Sequence, residues 1–284
     1  MKDLKNARAV LTGASRGIGV YIARALAREG VNLVLAARSA APLAELAQEL
    51  ARQGVQALAM PLDLGDTNAL DGFASRCEAE LGPIDILINN AGVEQNGAFV
   101  DFSPADIESM LHIDLAAPLL LTQKFLARMI ERGRGHIVNI ASLAGKSATP
   151  YNVPYSAAKG GLIAFTHSLR AELRDTGVSA SVVCPGFVSE VGMYASKKRN
   201  HGLQEPAMLG TSSPEQVASA VVRALREDVL EILVNPGPMR LMQAVNQLFP
   251  EVGGWVVNRM GVGEMFRKVA EGERRGGGES TNGS

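Results

Sequence analysis

The sequence predicts an α/β domain with a doubly wound parallel sheet, followed by a C-terminal helical extension. Between residues 9 and 234, short continuous apolar runs alternate with longer stretches of helical periodicity. Strands that are apolar on both faces belong to parallel sheets covered by helices on either side. No internal repeat or long linker interrupts this alternation, and 284 residues suffice for one large core.

Residues 9–11 read as the first strand and 17–28 as the first helix. Residues 31–36 form a second strand, followed by a helix through Leu43, Leu46 and Leu50. A third strand over 55–62 leads to a helix over 66–81, and a fourth strand covers 84–88. Ser103-Pro104 starts the next helix, with a capping residue and then a proline at the first helical position. A long helix is expected over 114–132, bent or delimited by Pro118 near its start. Then come a strand over 136–140, a helix over 155–176 and a strand over 179–183. Ser213-Pro214-Glu215 opens a further helix, and 231–234 supplies a last strand. Right-handed crossovers make this a doubly wound sheet.

Residues 1–238 form the expected core domain. Residues 239–270 carry Leu241, Met242, Val245, Leu248 and Phe249, then Trp255, Val256, Val257, Met260, Met265 and Phe266. Pro250 and Gly253-Gly254 act as breakers, which suggests two short amphipathic helices. Their apolar faces need cover from a cleft, a subunit interface or a membrane surface. The first two are favoured, because neither helix is notably basic on one face. Residues 271–284 are polar and glycine-rich, and read as a disordered tail.

Twenty-eight Lys and Arg against 29 Asp and Glu give a formal charge of -1, which offers no basis for nucleic-acid binding. Cys77 and Cys184 lie far apart, as reduced structural thiols do. His112, His136, His167 and His201 lack metal-ligand spacing, so no metal is expected. Met1-Lys2-Asp3-Leu4-Lys5 leads directly into a strand, with no room for a signal segment. No apolar run is long enough to span a bilayer. A cytoplasmic protein is expected.

Thr12-Gly13-Ala14-Ser15-Arg16-Gly17-Ile18-Gly19 follows the first strand and opens a helix. Gly13 permits a tight turn, Gly17 lets amides approach a pyrophosphate, and Gly19 allows close helix–strand packing. With Ser15, Arg16 and Ile18 these glycines form a dinucleotide-binding turn of Rossmann type, and the helix N-terminus supplies free N–H donors. After the second strand comes Leu35-Ala36-Ala37-Arg38-Ser39, without the carboxylate that accepts from a ribose hydroxyl in NAD sites. Arg38 and Arg16 are placed to pair with a 2'-phosphate instead, which favours NADP(H) over NAD(H).

Tyr155-Ser156-Ala157-Ala158-Lys159 puts a phenol and an ammonium on one helix face. A nearby cation favours the phenolate and brings a Tyr towards neutral pH. Such spacing alone is common on surface helices, but here it occurs with other motifs. The glycine turn, Asp63, Asn89-Asn90-Ala91-Gly92, Ser142, Tyr155-x-x-x-Lys159 and Pro185-Gly186 occur in order. Together they resemble the short-chain dehydrogenase/reductase family, particularly its beta-ketoacyl carrier-protein reductase-like members, over residues 6–234.

That resemblance implies that Tyr155 is the general acid in carbonyl reduction and the base in the reverse direction. It also implies that Lys159 lowers the Tyr155 pKa and binds ribose hydroxyls, and that Ser142 hydrogen-bonds the substrate oxygen. Asp63 and Leu64 are expected at the adenine. Asn90, Ala91 and Gly92 are expected to border the cofactor, and Pro185, Gly186 and Val188 the nicotinamide carboxamide. The implied partner is a small carbonyl or alcohol, and the implied assembly a homodimer or homotetramer. Asp114 stands where relatives often carry Asn: either the exchange is tolerated, because the family role partly uses the backbone carbonyl, or a carboxylate near Lys159 stabilises the ammonium and alters the pH profile. Ser189 stands near a position where many relatives carry Thr. Lys197-Lys198-Arg199, in the stretch that covers substrate in relatives, reads as a solvated loop, with recognition of an anionic acyl-carrier or CoA substrate as the alternative. Tyr151, Val153, Phe187, Met193 and Tyr194 are candidates for a substrate pocket or for core packing. A non-catalytic NADP(H)-binding sensor and a membrane-peripheral lipid-ketone reductase, anchored through 239–270, are the competing readings.

Overall fold

The computed structural model describes residues 3–147, 149–201, 210–237, 239–259 and 261–279. Its centre is a seven-stranded, all-parallel sheet in the order β3-β2-β1-β4-β5-β6-β7. The strands are β1 (Arg8–Thr12), β2 (Asn32–Ala37), β3 (Ala57–Pro61), β4 (Ile86–Asn89), β5 (Gly135–Ile140), β6 (Val178–Pro185) and β7 (Glu231–Val234). The order reverses between β1 and β4, which opens a crevice at the carboxyl ends of these strands.

Period-two alternation builds two cores from one sheet. Leu33 and Leu35 of β2 face one layer, which contains α1 (Ile18–Arg28), α2 (Ala40–Ala51) and α9 (Pro214–Glu227). Val34 and Ala36 face the other. That second layer contains α3 (Thr67–Asp71), α4 (Phe73–Leu81), α6 (Ala117–Glu131) and the end of α7 (Val153–Glu172). Helix α5 (Pro104–Leu111) starts at Ser103 with a capping box to Asp106, and α9 starts at Ser213 with one to Gln216.

Several elements depart from expectation. The helix over 66–81 is two helices, because Gly72 ends α3 and begins α4. The long helix over 114–132 is delimited: a π-helical turn, His112–Ala116, precedes α6, whose first turn holds Pro118. Lys197-Lys198-Arg199 is not a loop but part of α8 (Gly192–His201). The extension forms three helices: α10 (Met239–Leu248), α11 (Pro250–Arg259) and α12 (Val262–Glu279).

Helix α12 therefore continues into residues read as a tail. Arg267 pairs with Glu264 and Glu271 at i,i+3 and i,i+4 spacing, which supports that helix despite its glycines. Residues 280–284 lie outside the described residues, as does Met260. No helix among the described residues is long and apolar enough to cross a membrane.

A buried polar chain fixes the sheet to the helices above the crevice. Asn89 Nδ2 donates to Asn139 Oδ1 at 2.8 Å, and Asn139 Nδ2 donates to Thr166 Oγ1 at 2.9 Å. These bonds tie β4 and β5 to α7 through groups that would be costly to bury unpaired.

Candidate active site

One cavity of about 1310 Å³ opens along the carboxyl edge of the sheet. On the β1–β2–β3 side it is lined by Gly13, Ser15, Arg16, Gly17, Ile18 and Gly19, with Arg38, Ser39, Asp63 and Leu64. Beyond the reversal it is lined by Asn90, Ala91, Gly92, Ser142, Tyr155, Lys159, Pro185, Gly186 and Val188. Of the expected catalytic and cofactor-binding residues, only Asp114 does not reach the cavity; it lies directly behind Lys159.

The two sides are clamped at the reversal. Thr12 Oγ1 accepts from the Asn90 and Ala91 amides at 3.0 and 3.1 Å, and Asn90 Nδ2 donates to the Thr12 carbonyl at 2.9 Å. Gly13 has φ +67, and a Cβ there would sit 2.7 Å from Ala91 Cα. Helix α1 begins at Gly17 without a side-chain cap or an acidic residue in its first turn. Its first N–H groups are therefore left for an anion at the cavity wall, with Arg16 and Arg38 nearby in the same lining. A dinucleotide phosphate fits this donor set.

Ser142 follows β5 and caps a 3-10 turn, Leu143–Gly145, its Oγ accepting from Ala144 N at 3.1 Å. That turn lies against α7 so closely that a Cβ on Gly145 would be 2.6 Å from Gly160 N. The approach fixes Ser142 relative to Tyr155, which sits in the first turns of α7 after Pro154.

Lys159 Nζ lies 2.9 Å from Asp114 Oδ1, and the Asp114 carboxylate is fully buried. Asp114 Oδ2 accepts from Val93 N at 3.1 Å, and Lys159 Nζ donates to the Ile140 carbonyl at 3.2 Å. A Cβ on Gly92 would come within 2.5 Å of Asp114 Oδ1, so glycine leaves room for this pair. The π-helical turn is what sets Asp114 opposite Lys159, a use typical of such local widenings. Burial pushes the Asp114 carboxyl up, with Lys159 and the Val93 amide opposing.

Tyr155 differs from expectation. Burial pushes its phenol well above the ordinary tyrosine value, the Glu94 and Asp114 carboxylates push it further, and the Ser142 side chain pulls it down. The Lys159 ammonium lies 5.5 Å from the Tyr155 ring centroid, but its charge is matched by Asp114. The expected lowering by Lys159 is thus outweighed in this state of the chain.

A second polar cluster was not legible in the sequence. Lys197 Nζ pairs with Glu94 Oε2 at 3.1 Å and donates to Asn96 Oδ1, while Asn152 Nδ2 donates to Glu94 Oε1 at 2.6 Å. Lys197 is buried rather than solvated. Its partners come from the loop after β4 (Glu94 and Asn96) and from Asn152 at the start of α7, and no spacing pattern joins the three segments. Ser189 does not line the cavity; its Oγ donates to the Ser212 carbonyl at 3.3 Å. Phe187, Met193 and Tyr194 line it, whereas Tyr151 packs against α12 and Val153 is exposed. Cys77 and Cys184 are free and buried.

A dinucleotide cradle at the sheet reversal, beside a half-buried serine and a buried phenol and ammonium, defines an oxidoreductase on a nucleotide-binding fold. A family model described as short chain dehydrogenase matches residues 7–202, and the chain belongs to the short-chain dehydrogenase/reductase family. It is 43% identical over 276 residues to "Ketoacyl reductase HetN" of Nostoc sp., covering 95% of each chain. It is 35% identical over 247 residues to "Dehydrogenase/reductase SDR family member 7B" of Bos taurus, covering 83% of this chain and 75% of that one. Among solved structures, a metagenomic short-chain oxidoreductase in complex with NADP matches at TM-score 0.71 and 34% identity. That match covers 83% of this chain and 99% of the other. An actinorhodin polyketide ketoreductase variant with NADPH matches at TM-score 0.74 and 30% identity, covering 82% and 97%.

Proposed function

We propose that this protein is an NADP(H)-dependent reductase of a ketone, reversible as a secondary-alcohol dehydrogenase, with Tyr155 as the proton-transferring group. The observation that carries the proposal is a buried Tyr155 phenol, in contact range of Ser142 and backed by the Lys159–Asp114 pair, in the cavity that also contains Arg16 and Arg38.

When bound, the nicotinamide supplies or takes up the hydride. In reduction, Ser142 donates to the substrate carbonyl oxygen and stabilises the charge developing there. Tyr155 gives its proton to that oxygen. A phenol whose proton affinity is raised stays protonated at neutral pH, which suits reduction; alcohol oxidation needs the phenolate and gains from alkaline conditions. Lys159 holds the ribose hydroxyls while Asp114 holds Lys159. Arg16, Arg38 and Ser39 take the 2'-phosphate; the NADP(H) complexes of the two structural relatives support this choice. By family analogy the working unit is a homodimer or homotetramer in the cytoplasm.

The test is a set of NADPH and NADH oxidation assays over ketones, acyl ketones, steroids and sugars. We expect NADPH-linked turnover. Tyr155→Phe should lower kcat by about a hundredfold or more without loss of NADPH binding. Arg38→Asp should weaken NADPH far more than NADH; an equal effect on both would remove the cofactor assignment. Retained NADPH binding with no turnover across the panel would favour the sensor reading.

A further inference from the structure

We propose that the C-terminal extension is a specificity wall, and that the substrate is an uncharged ketone or secondary alcohol carrying a long apolar tail. This rests on the reductase reading above, because it concerns the far end of the same cavity.

The sheet order puts this end in place. The glycine turn and Arg38 belong to β1 and β2, Ser142 and Pro185 to the ends of β5 and β6, and the extension comes after β7 at the opposite edge. Helix α12 turns Val262, Met265, Phe266 and Val269 inward at i, i+3, i+4 and i+7, and all four are buried. All four line the cavity, as do Met242 and Val245 of α10. Phe187, directly after Pro185-Gly186, joins this wall to the site. Its ring centroid lies 4.6 Å from that of Tyr194 and 6.2 Å from that of Phe266.

The wall is fastened to the loop that carries Ser142. Gln243 Nε2 donates to Ser147 Oγ at 2.8 Å, and Asn246 Nδ2 donates to the Lys146 carbonyl at 2.8 Å. At the other end Glu273 Oε2 accepts from Asn96 N at 2.8 Å. These contacts make the extension part of the chamber rather than an appendage beside it.

Charge decides the kind of tail. The ammonium buried at this end, Lys197, is committed to Glu94 and Asn96, and the remaining Glu94 oxygen to Asn152. An anionic tail seated against Lys197 would have to break that pair, leaving a buried charge unmatched, whereas an apolar tail leaves it intact. Arg199, also in the lining, is exposed and bonded to the Glu190 carbonyl and Ser196 Oγ, and the Glu273 carboxylate repels an anion at the α12 end. Met242 and Met265 are unbranched and adapt to flexible chains. The cavity exceeds the roughly 300–1,000 Å³ usual for one small ligand, which leaves room for a tail beside a dinucleotide.

The extension also lies outside residues 7–202, which carry the family match. The alignment with the Nostoc ketoacyl reductase, covering 95% of this chain, leaves too few residues over to omit it.

The experiment uses the full chain and a series of 2-alkanones from butanone to dodecanone. Binding is measured by calorimetry on NADP+-loaded protein, which cannot reduce them, and turnover separately with NADPH. Affinity should rise with each methylene by up to about fourfold, levelling off when the chamber is filled. Met265→Gln and, separately, Val269→Thr keep much of the original shape and should each reduce the increment per methylene. Two variants guard against one that fails to fold, which circular dichroism would reveal. Affinity independent of tail length in the wild-type protein would overturn the inference, whether or not short ketones are reduced. Tail-dependent binding without turnover at any length would count against the reductase reading and leave the wall standing.

Discussion

At the scale of single residues, the proton affinity of Tyr155 is set by what is buried around it, and Asp114 contributes twice. Its carboxylate disfavours the phenolate directly, and it neutralises the Lys159 charge that would favour it. Asp114→Asn removes the first effect and releases the second, so the phenol should ionise at lower pH. On the proposed mechanism alcohol oxidation uses the phenolate, so its rate should then rise at a lower pH than in the parent. Reduction should fail at a lower pH too. An unchanged pH–rate profile in both directions would rule this out. Gly92→Ala tests the same pair sterically, since its methyl group would meet Asp114 Oδ1 and crowd Lys159 Nζ, 3.3 Å away. Displacement of Lys159 should cost on the order of a hundredfold in kcat, with the protein still folded. Tyr155 and Lys159 were legible as a pair on one helix face, but their meaning, and Ser142 altogether, came from the family resemblance, because no local spacing ties the turn after β5 to α7. Asp114 was legible as a position, but its 2.9 Å contact with Lys159 was a matter of geometry. Glu94, Asn96 and Lys197 were invisible as a cluster, because elements distant in the chain bring them together.

Among the elements, those with a strong apolar period or a clear cap were readable. The seven strands, the Ser103 and Ser213 helix starts and the role of Pro118 come from local chemistry. Helix α8 was missed because Lys197-Lys198-Arg199 has the polarity of a solvated segment, and only tertiary contacts turn Lys197 inward. Helix α12 was underestimated because its later turns are polar and glycine-rich, while its ion pairs become evident only once the helix is laid out. Truncation after Gly237 tests what these helices do. Tyr151, Phe187 and Tyr194 would lose the apolar partners they have on α12. The truncated chain should keep its sheet by circular dichroism but melt at lower temperature and lose preference for tailed ketones. A truncated protein with the parent melting point and selectivity would deny the extension any part in the site.

For the whole molecule, stability depends on pH through groups remote from the site. His136 of β5 is buried against Ser181 of β6, 2.8 Å away, and burial lowers its pKa from 6.5 to about 4. The unfolded chain therefore takes up a proton near pH 6.5 that the native chain refuses until about pH 4. The stability due to neutral His136 is complete above pH 6.5 and is lost progressively as pH falls towards 4. Between about pH 7 and about pH 5 this amounts to about 2 kcal/mol. Urea unfolding of the parent and of His136→Gln at both pH values should show that much less acid sensitivity in the variant. Equal sensitivity would exclude His136 as the source.

The placement of the extension after the last strand has a consequence for how such a chain diversifies. The sheet is complete at Val234, so its register and crossovers owe nothing to the residues beyond it. The residues proposed for the chemistry lie on the sheet-forming stretch, whereas the proposed wall is shared between Phe187 and Tyr194 of that stretch and the helices that follow it. A graft that replaces residues 239–279 with the matching stretch of a relative should therefore change which tails are accepted, and should keep turnover where the replacement retains the Gln243 and Asn246 contacts with the loop that carries Ser142.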